Sequence, residues 1–419
     1  MSRVAVIGSG IAGMAAAYML SRKHEVHLLE RQSRLGGHTH THQIETSGGV
    51  LPIDTGFIVH NDRTYPNLVR LFRELRIDRL KSDMSFGVSC RKTGFEYSSR
   101  GLAGLFAQKK NYLRPAYYKF LKEILRFNRQ ARRVLDDPAG AMMTIGQFIQ
   151  ANDFSSDFGR YYLYPMAAAV WSTSLEEIES FPAVTLVRFF DNHGFLGINT
   201  RPQWFVVKGG SSRYVAPLTR SYADRIRVGV RISAVTRSGV GAIIRFDGGA
   251  SESFDEVIFA CHAPQALALL ADVSPQERSV LSGLTTSRNH ALLHRDSRLL
   301  PQRPEARASW NYHLSTDVRA ATLTYDMNRL QNLPVPEHYY VTLNANGKVA
   351  EKSIVREMNY AHPLMTLPAI RAQGRWQEIS GRNHTHFCGA YWFYGFHEDG
   401  LNSAIRVAQS LNAPWKPEA

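Results

Sequence analysis

The sequence contains few cysteines and no long apolar run. Its three cysteines, Cys90, Cys261 and Cys388, are far apart and odd in number, which argues against a disulfide framework and favours a reducing compartment. No uninterrupted run of about 18 apolar residues occurs, so the sequence predicts no transmembrane helix. Residues 4–20 are largely apolar, but their glycines and the acid-ended strand after them predict a core segment rather than a secretory signal. We therefore expect a cytoplasmic protein.

Acidic residues are also in short supply. The chain has 50 Lys and Arg residues against 36 Asp and Glu residues, a formal net charge of +14. Such an excess favours contact with nucleic acid, anionic lipid or acidic substrates. Between residues 109 and 133 nine cationic residues accompany a single acid, Glu123. Apolar and aromatic residues interleave with them at helical spacing, which predicts a basic amphipathic helix.

Two interpretations of this helix are open. Its apolar face lies on an anionic membrane, which would make the protein peripheral at the inner face of the cell membrane. Alternatively, that face packs in the protein's own core and the cations form a solvated surface. Nucleic acid is not favoured, because no base-reading motif accompanies the charge.

The beginning of the chain carries a strong positive signal. A strand over residues 4–7, a glycine turn over 8–13, a helix over 14–22 and a second strand over 25–29 are predicted. Together they form one βαβ unit of the dinucleotide-binding type.

Each glycine of the turn has a geometric role. Gly8 makes the tight turn, Gly10 lets a pyrophosphate approach the backbone, and Gly13 lets the helix pack closely on the strand. Glu30, at the end of the second strand, is placed to accept hydrogen bonds from an adenosine ribose. The phosphates would bind free amides at the start of the helix, near Ile11 and Ala12.

The segments that follow resemble a known family. Arg34-Leu35-Gly36-Gly37-His38 is similar to the arginine and double glycine found after the ribose-binding acid in two-domain FAD enzymes of the amine oxidase type. An arginine adds charge-assisted bonds to a diphosphate, and paired glycines let the backbone approach it. The resemblance therefore implies FAD rather than NAD. It extends to residues 205–214, 231–237, 254–262 and 386–404, the last resembling the motif whose helix N-terminus points at the flavin.

The resemblance implies an α/β fold of the glutathione-reductase-like or amine oxidase type, with a Rossmann-like FAD domain and a mixed sheet-and-helix substrate domain. The FAD domain is predicted to be discontinuous, over residues 1–65, 203–286 and 378–419. The substrate domain takes 66–202 and 287–377. No linker rich in Pro, Gly or Ser divides them, so these boundaries follow pattern alone. The implied cofactor contacts are Gly8, Gly10, Ile11, Ala12, Gly13, Glu30, Arg31, Arg34, Gly36, Gly37, His38, Thr55, Gly56, Ile232, Ala260, Gly389, Asp399, Gly400 and Leu401.

Three alternating histidines could form a metal-binding site. His38, His40 and His42 would project from one face of a strand and form a ligand set. No carboxylate or cysteine cluster accompanies them, so we predict no metal and interpret them as cofactor-lining or buried polar residues.

In detail the chain resembles a bacterial subgroup of amine-oxidase-like FAD proteins, through RLGGHTHT, DTGFIV, YPMAAAVWS, SWNY, MNRLQ and GAYWFYGFHEDGLNSA. That subgroup is associated with enzymes that methylate or cyclopropanate membrane-lipid acyl chains. The resemblance implies oxygen-dependent desaturation of a methyl-branched unsaturated acyl chain, which yields the diene precursor of furan fatty acids. The implied partners are anionic phospholipid, molecular oxygen and a fatty-acid methyltransferase.

Two other functions remain open. Oxidation of an amine or polyamine would favour an acidic pocket mouth, which this basic chain does not show. A non-catalytic flavoprotein that binds lipid or a methyltransferase is the third. No base is uniquely placed for desaturation, and the candidate catalytic residues are His60, Tyr164, Tyr312 and Tyr391.

Overall fold

A computed structural model describes residues 1–136, 143–171, 178–197, 202–314 and 322–415. Its first layer is a parallel sheet of five strands. Every neighbouring pair in this sheet is parallel, as expected when helices connect the strands. The spatial order is Ile226–Arg227, Glu25–Leu29, Arg3–Ile7, Glu256–Phe259 and Thr385–Phe387.

The helix Ile11–Leu20 crosses from the first strand to the second. A Cβ atom on Gly13 would lie 1.9 Å from the carbonyl oxygen of Gly8 and 3.0 Å from Cβ of Ala260. Only glycine permits this approach of helix to sheet, as the sequence predicts.

The helix begins at Ile11 rather than at the predicted residue 14, and it ends at Leu20 rather than at residue 22. Gly10 is its N-cap, and the Gly10 carbonyl already accepts a hydrogen bond from the Met14 amide at 3.0 Å. The glycine turn therefore overlaps the first turn of the helix.

A long helix, His397–Ser410, packs on Ile11–Leu20 and brings the C-terminal part of the chain to the glycine turn. A Cβ atom on Gly400 would lie 2.8 Å from Cγ2 of Ile11, which shows how closely the two helices approach. The other helices of this first core are Pro66–Glu74, Val215–Thr219, Ala263–Leu269, Pro275–Leu281, Leu367–Gln373 and Trp376–Ile379.

The second core is built on a sheet of seven strands. Its pairs are antiparallel except for Trp310–Leu314 with Phe86–Cys90, which is parallel. In spatial order the strands are Ile354–Pro363, Thr286–His294, Tyr340–Leu343, Thr322–Asp326, Trp310–Leu314, Phe86–Cys90 and Phe95–Ser98.

Helices pack on this sheet and form the rest of the second core. Thr144 caps one of them, Ile145–Ala151, through a capping box with Gln147. The helices are Gly101–Leu105, Pro115–Gln130, Arg133–Asp136, Ile145–Ala151, Ser156–Phe158, Tyr164–Trp171, Ala183–Asn192 and Met327–Gln331.

Three small sheets complete the fold, and the strand Trp204–Val207 in one of them contributes to both cores. One is the hairpin Thr41–Thr46 with Gly49–Asp54. The others are Val59–Asn61 with Trp204–Val207 and Arg79–Ser82, and the three-stranded sheet of Ile232–Ser238, Gly241–Phe246 and Ser251–Phe254.

Two segments pack on the other side of the predicted domain boundaries. The helix Pro66–Glu74, assigned by pattern to the substrate domain, buries Leu68 and Phe72 in the first core. The hairpin Thr41–Thr46 with Gly49–Asp54, assigned to the FAD domain, contributes Ile53 to the second core. An amphipathic pattern shows that a segment has a buried face but does not show which core receives it.

The basic helix runs over Pro115–Gln130, after a short helical turn at Lys109–Leu113. Tyr117, Phe120 and Phe127 are buried in the second core. Its apolar face therefore belongs to the protein's own core, as the second of the two interpretations requires. Among the described residues, no helix is both long enough and apolar enough to cross a membrane.

Asp54 joins the two cores. Its buried carboxylate accepts hydrogen bonds from the Ser211 amide at 2.9 Å and from Nε2 of Gln331 at 3.2 Å. Ser211 leads into the first core, whereas Gln331 ends a helix of the second. Burial raises the pKa of Asp54 to about 6, opposed by the hydrogen bonds from Thr41 and Ser211.

We expect Asp54→Ala to lower the free energy of unfolding by about 2–4 kcal/mol, because several buried donors lose their acceptor. Asp62→Ala is the control, since Asp62 is half exposed and pairs with Arg79 at the surface. The Asp62→Ala substitution should lower the free energy of unfolding by less than about 1 kcal/mol. Urea unfolding of both variants measures the two losses in free energy of unfolding. Equal losses would contradict the role of Asp54 in joining the two cores.

Candidate active site

A cavity of about 1260 Å³ lies between the two cores. It exceeds the roughly 300–1,000 Å³ of an ordinary ligand pocket and has room for a cofactor and a substrate. Its lining includes exposed residues in two places. Arg31 and Gln32 lie beside the glycine turn, and Asp83, Arg100 and Gln203 lie beside the seven-stranded sheet.

The glycine turn forms one wall of the cavity. Gly10, Ile11 and Ala12 line it at the N-terminus of the helix, where backbone amides are free of intrahelical partners. A Cβ atom on Gly10 would meet no protein atom within 4 Å, so the space in front of this residue is open. A diphosphate fits this position.

Glu30 and Arg34 stand beside the turn. Oε2 of Glu30 accepts hydrogen bonds from the Ser9 amide at 2.8 Å and from Oγ of Ser9 at 2.7 Å. The carboxylate is thus held in place and retains lone pairs for ribose hydroxyls. Arg34 donates to the Gly37 carbonyl at 2.8 Å, and no carboxylate pairs with it among the described residues. Burial lowers the pKa of Arg34, and a phosphate would supply the missing negative charge.

Most predicted cofactor contacts line this cavity together. His38 is one of them, and its Nε2 is buried without a hydrogen-bond partner in the described part of the chain. A bound group would supply that partner. The set comprises Gly8, Gly10, Ile11, Ala12, Glu30, Arg31, Arg34, Gly37, His38, Thr55, Gly56, Ile232, Ala260, Gly389 and Gly400.

Four predicted contacts lie behind the lining. Gly13 packs the helix on the sheet, and the Gly36 amide donates to the Ser9 carbonyl at 3.0 Å. Leu401 is buried in the first core. Asp399 caps the helix His397–Ser410 by accepting from the Phe396 amide at 2.8 Å, and burial raises the pKa of Asp399 to about 7.

Of the four candidate catalytic residues, only Tyr391 lines the cavity. His60 is fully buried among aromatic rings, with Phe72 at a ring distance of 5.1 Å. Tyr312 is buried in the second core, and Tyr164 is half-buried outside the lining. The sequence pattern identified polar residues of suitable chemistry but did not show which of them face the cavity.

A histidine cluster borders the cavity, and sequence analysis singled out only one of its members. The ring of His38 lies 5.3 Å from that of His362 and 6.0 Å from that of His262. Burial lowers the pKa of all three, that of His362 to about 4, so the imidazoles are neutral at neutral pH. His262 follows Ala260 closely, which was a usable signal, whereas nothing in the sequence distinguishes His362.

His40 and His42 have polar partners instead of a metal. Nδ1 of His40 lies 2.9 Å from the Tyr360 hydroxyl, and Nε2 of His42 lies 3.1 Å from Oγ1 of Thr55. In the described part of the chain, no group of three His, Cys, Asp or Glu side chains is arranged to hold a metal.

Beyond the glycine turn, the cavity wall is largely apolar and aromatic. Among the described lining residues, the only carboxylates are Glu30 at the turn and Asp83 at the exposed edge. The wall therefore suits a hydrocarbon. Its apolar members include Met84, Phe86, Met166, Ala169, Val170, Trp171, Phe189, Phe195, Trp204, Trp310, Tyr325 and Leu343.

We expect Gly10→Val to abolish FAD binding without unfolding the protein. The new side chain would fill the open space before the helix N-terminus, where no protein atom lies, and would exclude the diphosphate. Gly239→Val is the control, because Gly239 also faces open space but lies in an exposed turn. Flavin absorbance per protein and far-UV circular dichroism measure the outcome. Full flavin content in Gly10→Val would contradict the assignment.

Structures of amine oxidases share this fold over nearly the whole chain. Putrescine oxidase bound to putrescine has a TM-score of 0.69 at 14% identity, covering 98% of this chain and 99% of that chain. Cyclohexylamine oxidase from Brevibacterium oxydans IH-35A gives 0.70 at 14% identity, covering 98% and 99%. A CLA-producing fatty acid isomerase from P. acnes gives 0.68 at 14% identity, covering 97% and 98%. The predicted two-domain fold is confirmed.

Sequence comparison points to the same family. Flavin-dependent L-tryptophan oxidase RebO from Lentzea aerocolonigenes is 42% identical over 55 residues, which is 13% of this chain and 12% of that relative. Residues 11–286 match the flavin containing amine oxidoreductase family. The chain therefore belongs to the flavin-containing amine oxidoreductase family, which confirms the predicted FAD cofactor and the prediction of an oxidoreductase.

Proposed function

We propose that the protein is an oxygen-dependent desaturase of methyl-branched unsaturated phospholipid acyl chains, which forms the diene precursor of furan fatty acids. The observation that carries this proposal is the apolar and aromatic wall beyond the glycine turn, whose described lining holds carboxylates only at Glu30 and Asp83. A hydrocarbon chain needs alignment and exclusion of water more than charged partners. The fatty acid isomerase of the same fold is a neighbour that acts on a lipid chain.

The reaction removes a hydride and a proton from the acyl chain and leaves one new carbon–carbon double bond. When bound, FAD supplies the hydride acceptor at N5 and passes two electrons to dioxygen, which with two protons becomes hydrogen peroxide. The acyl chain is thereby oxidised and dioxygen reduced, so atoms and electrons balance.

The chain's own residues align the substrate and handle the proton. Trp171, Trp204 and Trp310 offer flat apolar surfaces along the cavity. His38, His262 and His362 are neutral imidazoles at the wall, the protonation state that a proton acceptor requires. A fatty-acid methyltransferase is the proposed source of the methyl branch.

Amine oxidation is the second candidate, favoured by family membership and by the putrescine and cyclohexylamine oxidases of the same fold. An amine cation would gain from carboxylates in the wall, which the described lining lacks beyond Glu30 and Asp83. A non-catalytic lipid-binding flavoprotein is the third candidate.

Anaerobic mixing separates the three functions. We expect methyl-branched unsaturated phospholipid to bleach the flavin absorbance of the FAD-loaded protein, because hydride transfer reduces the flavin. The same phospholipid without the methyl branch, putrescine and cyclohexylamine serve as comparisons. Bleaching by the amines alone would support an amine oxidase, and bleaching by none would support a binding role; either result contradicts the proposal.

We expect the rate of flavin reduction by this lipid to stay level between about pH 6 and pH 8 and to fall below about pH 5. Burial lowers the pKa of His362 to about 4 and also lowers that of His38 and His262. These groups stay neutral at higher pH and become protonated, and so unable to accept a proton, only at acid pH. Anaerobic stopped-flow measurements test this, and an acid limb near pH 6.5 would contradict the neutral cluster.

A further inference from the structure

A cluster of apolar side chains lies exposed just before the basic helix and in its first turn. Leu102 is 72% exposed, Tyr112 51%, Leu113 89% and Tyr118 41%. Single exposed apolar residues are common on soluble proteins, but a joined cluster marks an interaction site.

Phe106 connects the members of this cluster. Its ring stacks on Tyr112 at a centroid distance of 4.2 Å and lies 6.0 Å from the ring of Tyr118. The Phe106 amide donates to the Leu102 carbonyl at 2.9 Å, which places Leu102 one helical turn before it. The rings of Tyr112 and Tyr118 therefore lie around Phe106, and Leu102 and Leu113 are their exposed neighbours along the chain.

Cations are the neighbours of the patch along the chain, and one exposed acid, Glu305, lies on the short helix Pro304–Ala306 that packs beside Gly101–Leu105. Between residues 97 and 135 the only acidic residue is Glu123, which is buried and accepts a hydrogen bond from the Ser155 amide at 3.0 Å. The neighbouring cations are exposed, and none of them forms an ion pair within the described part of the chain: Lys109, Lys110, Arg114, Lys119 and Lys122.

The cavity opens beside this patch. Arg100 is exposed and lines the cavity, and Leu102 follows it after one residue. The guanidinium of Arg100 donates only to the Arg307 carbonyl, at 3.3 Å, in the described part of the chain. Its charge is therefore available to an anion at the cavity entrance.

We propose that this basic apolar surface, formed by Arg100, Leu102, Tyr112, Leu113, Tyr118 and the five neighbouring cations, docks on an anionic phospholipid bilayer. Leu102 and Leu113 insert among the acyl chains, the tyrosines lie at the interface, and the cations contact headgroups. Arg100 binds the phosphate of the lipid whose acyl chain enters the cavity. The entry step rests on the proposed desaturase function, whereas docking does not.

Charge and side-chain type favour a bilayer over a protein or nucleic acid as the occupant. Protein interfaces are depleted of lysine at their centres, whereas exposed leucines and tyrosines among lysines are typical of membrane interfaces. The buried side of Pro115–Gln130, with Tyr117, Phe120 and Phe127, does not contribute, because it packs in the second core, whereas Tyr118 lies on the exposed side of this helix.

Vesicle sedimentation tests the docking surface without any turnover. The FAD-loaded protein should bind vesicles that contain phosphatidylglycerol, and Leu102→Glu/Leu113→Glu should bind them about 10-fold more weakly. The matched control is Val50→Glu/Val240→Glu, which places the same charges at exposed valines elsewhere, 62% and 87% exposed. Flavin content confirms that each variant is folded.

Equal vesicle binding by the wild type and the leucine variant would overturn the docking surface, as would equal loss in the valine control. Equal binding of the wild type to neutral vesicles would overturn the role assigned to the cations. If the wild type does not bind vesicles but binds a second protein through this surface, the bilayer proposal is overturned in favour of a protein partner.

Arg100→Glu tests the entrance. It should raise KM for vesicle-borne substrate about 10-fold while leaving kcat nearly unchanged, because Arg100 holds the lipid phosphate rather than the reacting carbons. Lys92→Glu is the control, as Lys92 is an exposed cation at the far end of the same strand pair. An unchanged KM in Arg100→Glu would overturn the role of Arg100 in binding the lipid phosphate at the cavity entrance. If no lipid reduces the flavin although vesicles bind, the desaturase function fails and the docking surface stands.

Discussion

The backbone of Gly13 lies so close to the Gly8 carbonyl that no side chain fits between them. This contact presses the helix Ile11–Leu20 onto the parallel sheet and aims its N-terminal amides into the cavity. The helix His397–Ser410 then packs against the same helix at Gly400, so N-terminal and C-terminal segments line the same cavity. The flavin assignment depends on this packing.

The second requirement is a cavity that belongs to both cores. Asp54 joins them through Ser211 and Gln331, and the wall changes from polar near the glycine turn to aromatic beside the seven-stranded sheet. A dinucleotide needs the first environment and a hydrocarbon the second. In the proposed reaction, the neutral histidines at the wall accept the proton, and in their resting state they add no charge to the cavity.

Much of the cavity lining beside the glycine turn could be predicted from sequence, because a glycine-rich turn between a strand and a helix adopts few backbone conformations. Gly8, Gly10 and Glu30 line the cavity as expected. The substrate side could not be predicted in this way. No local sequence pattern shows which histidine faces the cavity. The tertiary packing buries His60 behind the cavity wall and places His362 on the wall. The sequence of the basic helix is likewise amphipathic in either case, because the same pattern suits an apolar face that packs on a membrane and one that packs in a core.

In the proposed function, one cavity holds FAD and a phospholipid acyl chain and couples desaturation to reduction of dioxygen. The most direct test of this proposal is the stoichiometry of aerobic turnover on vesicles of methyl-branched unsaturated phospholipid. Oxygen consumption, hydrogen peroxide release and loss of two hydrogen atoms from the lipid, followed by mass spectrometry, should agree one to one to one. Oxygen consumption without any change in lipid mass, or a lipid product that has gained oxygen, would contradict the claim.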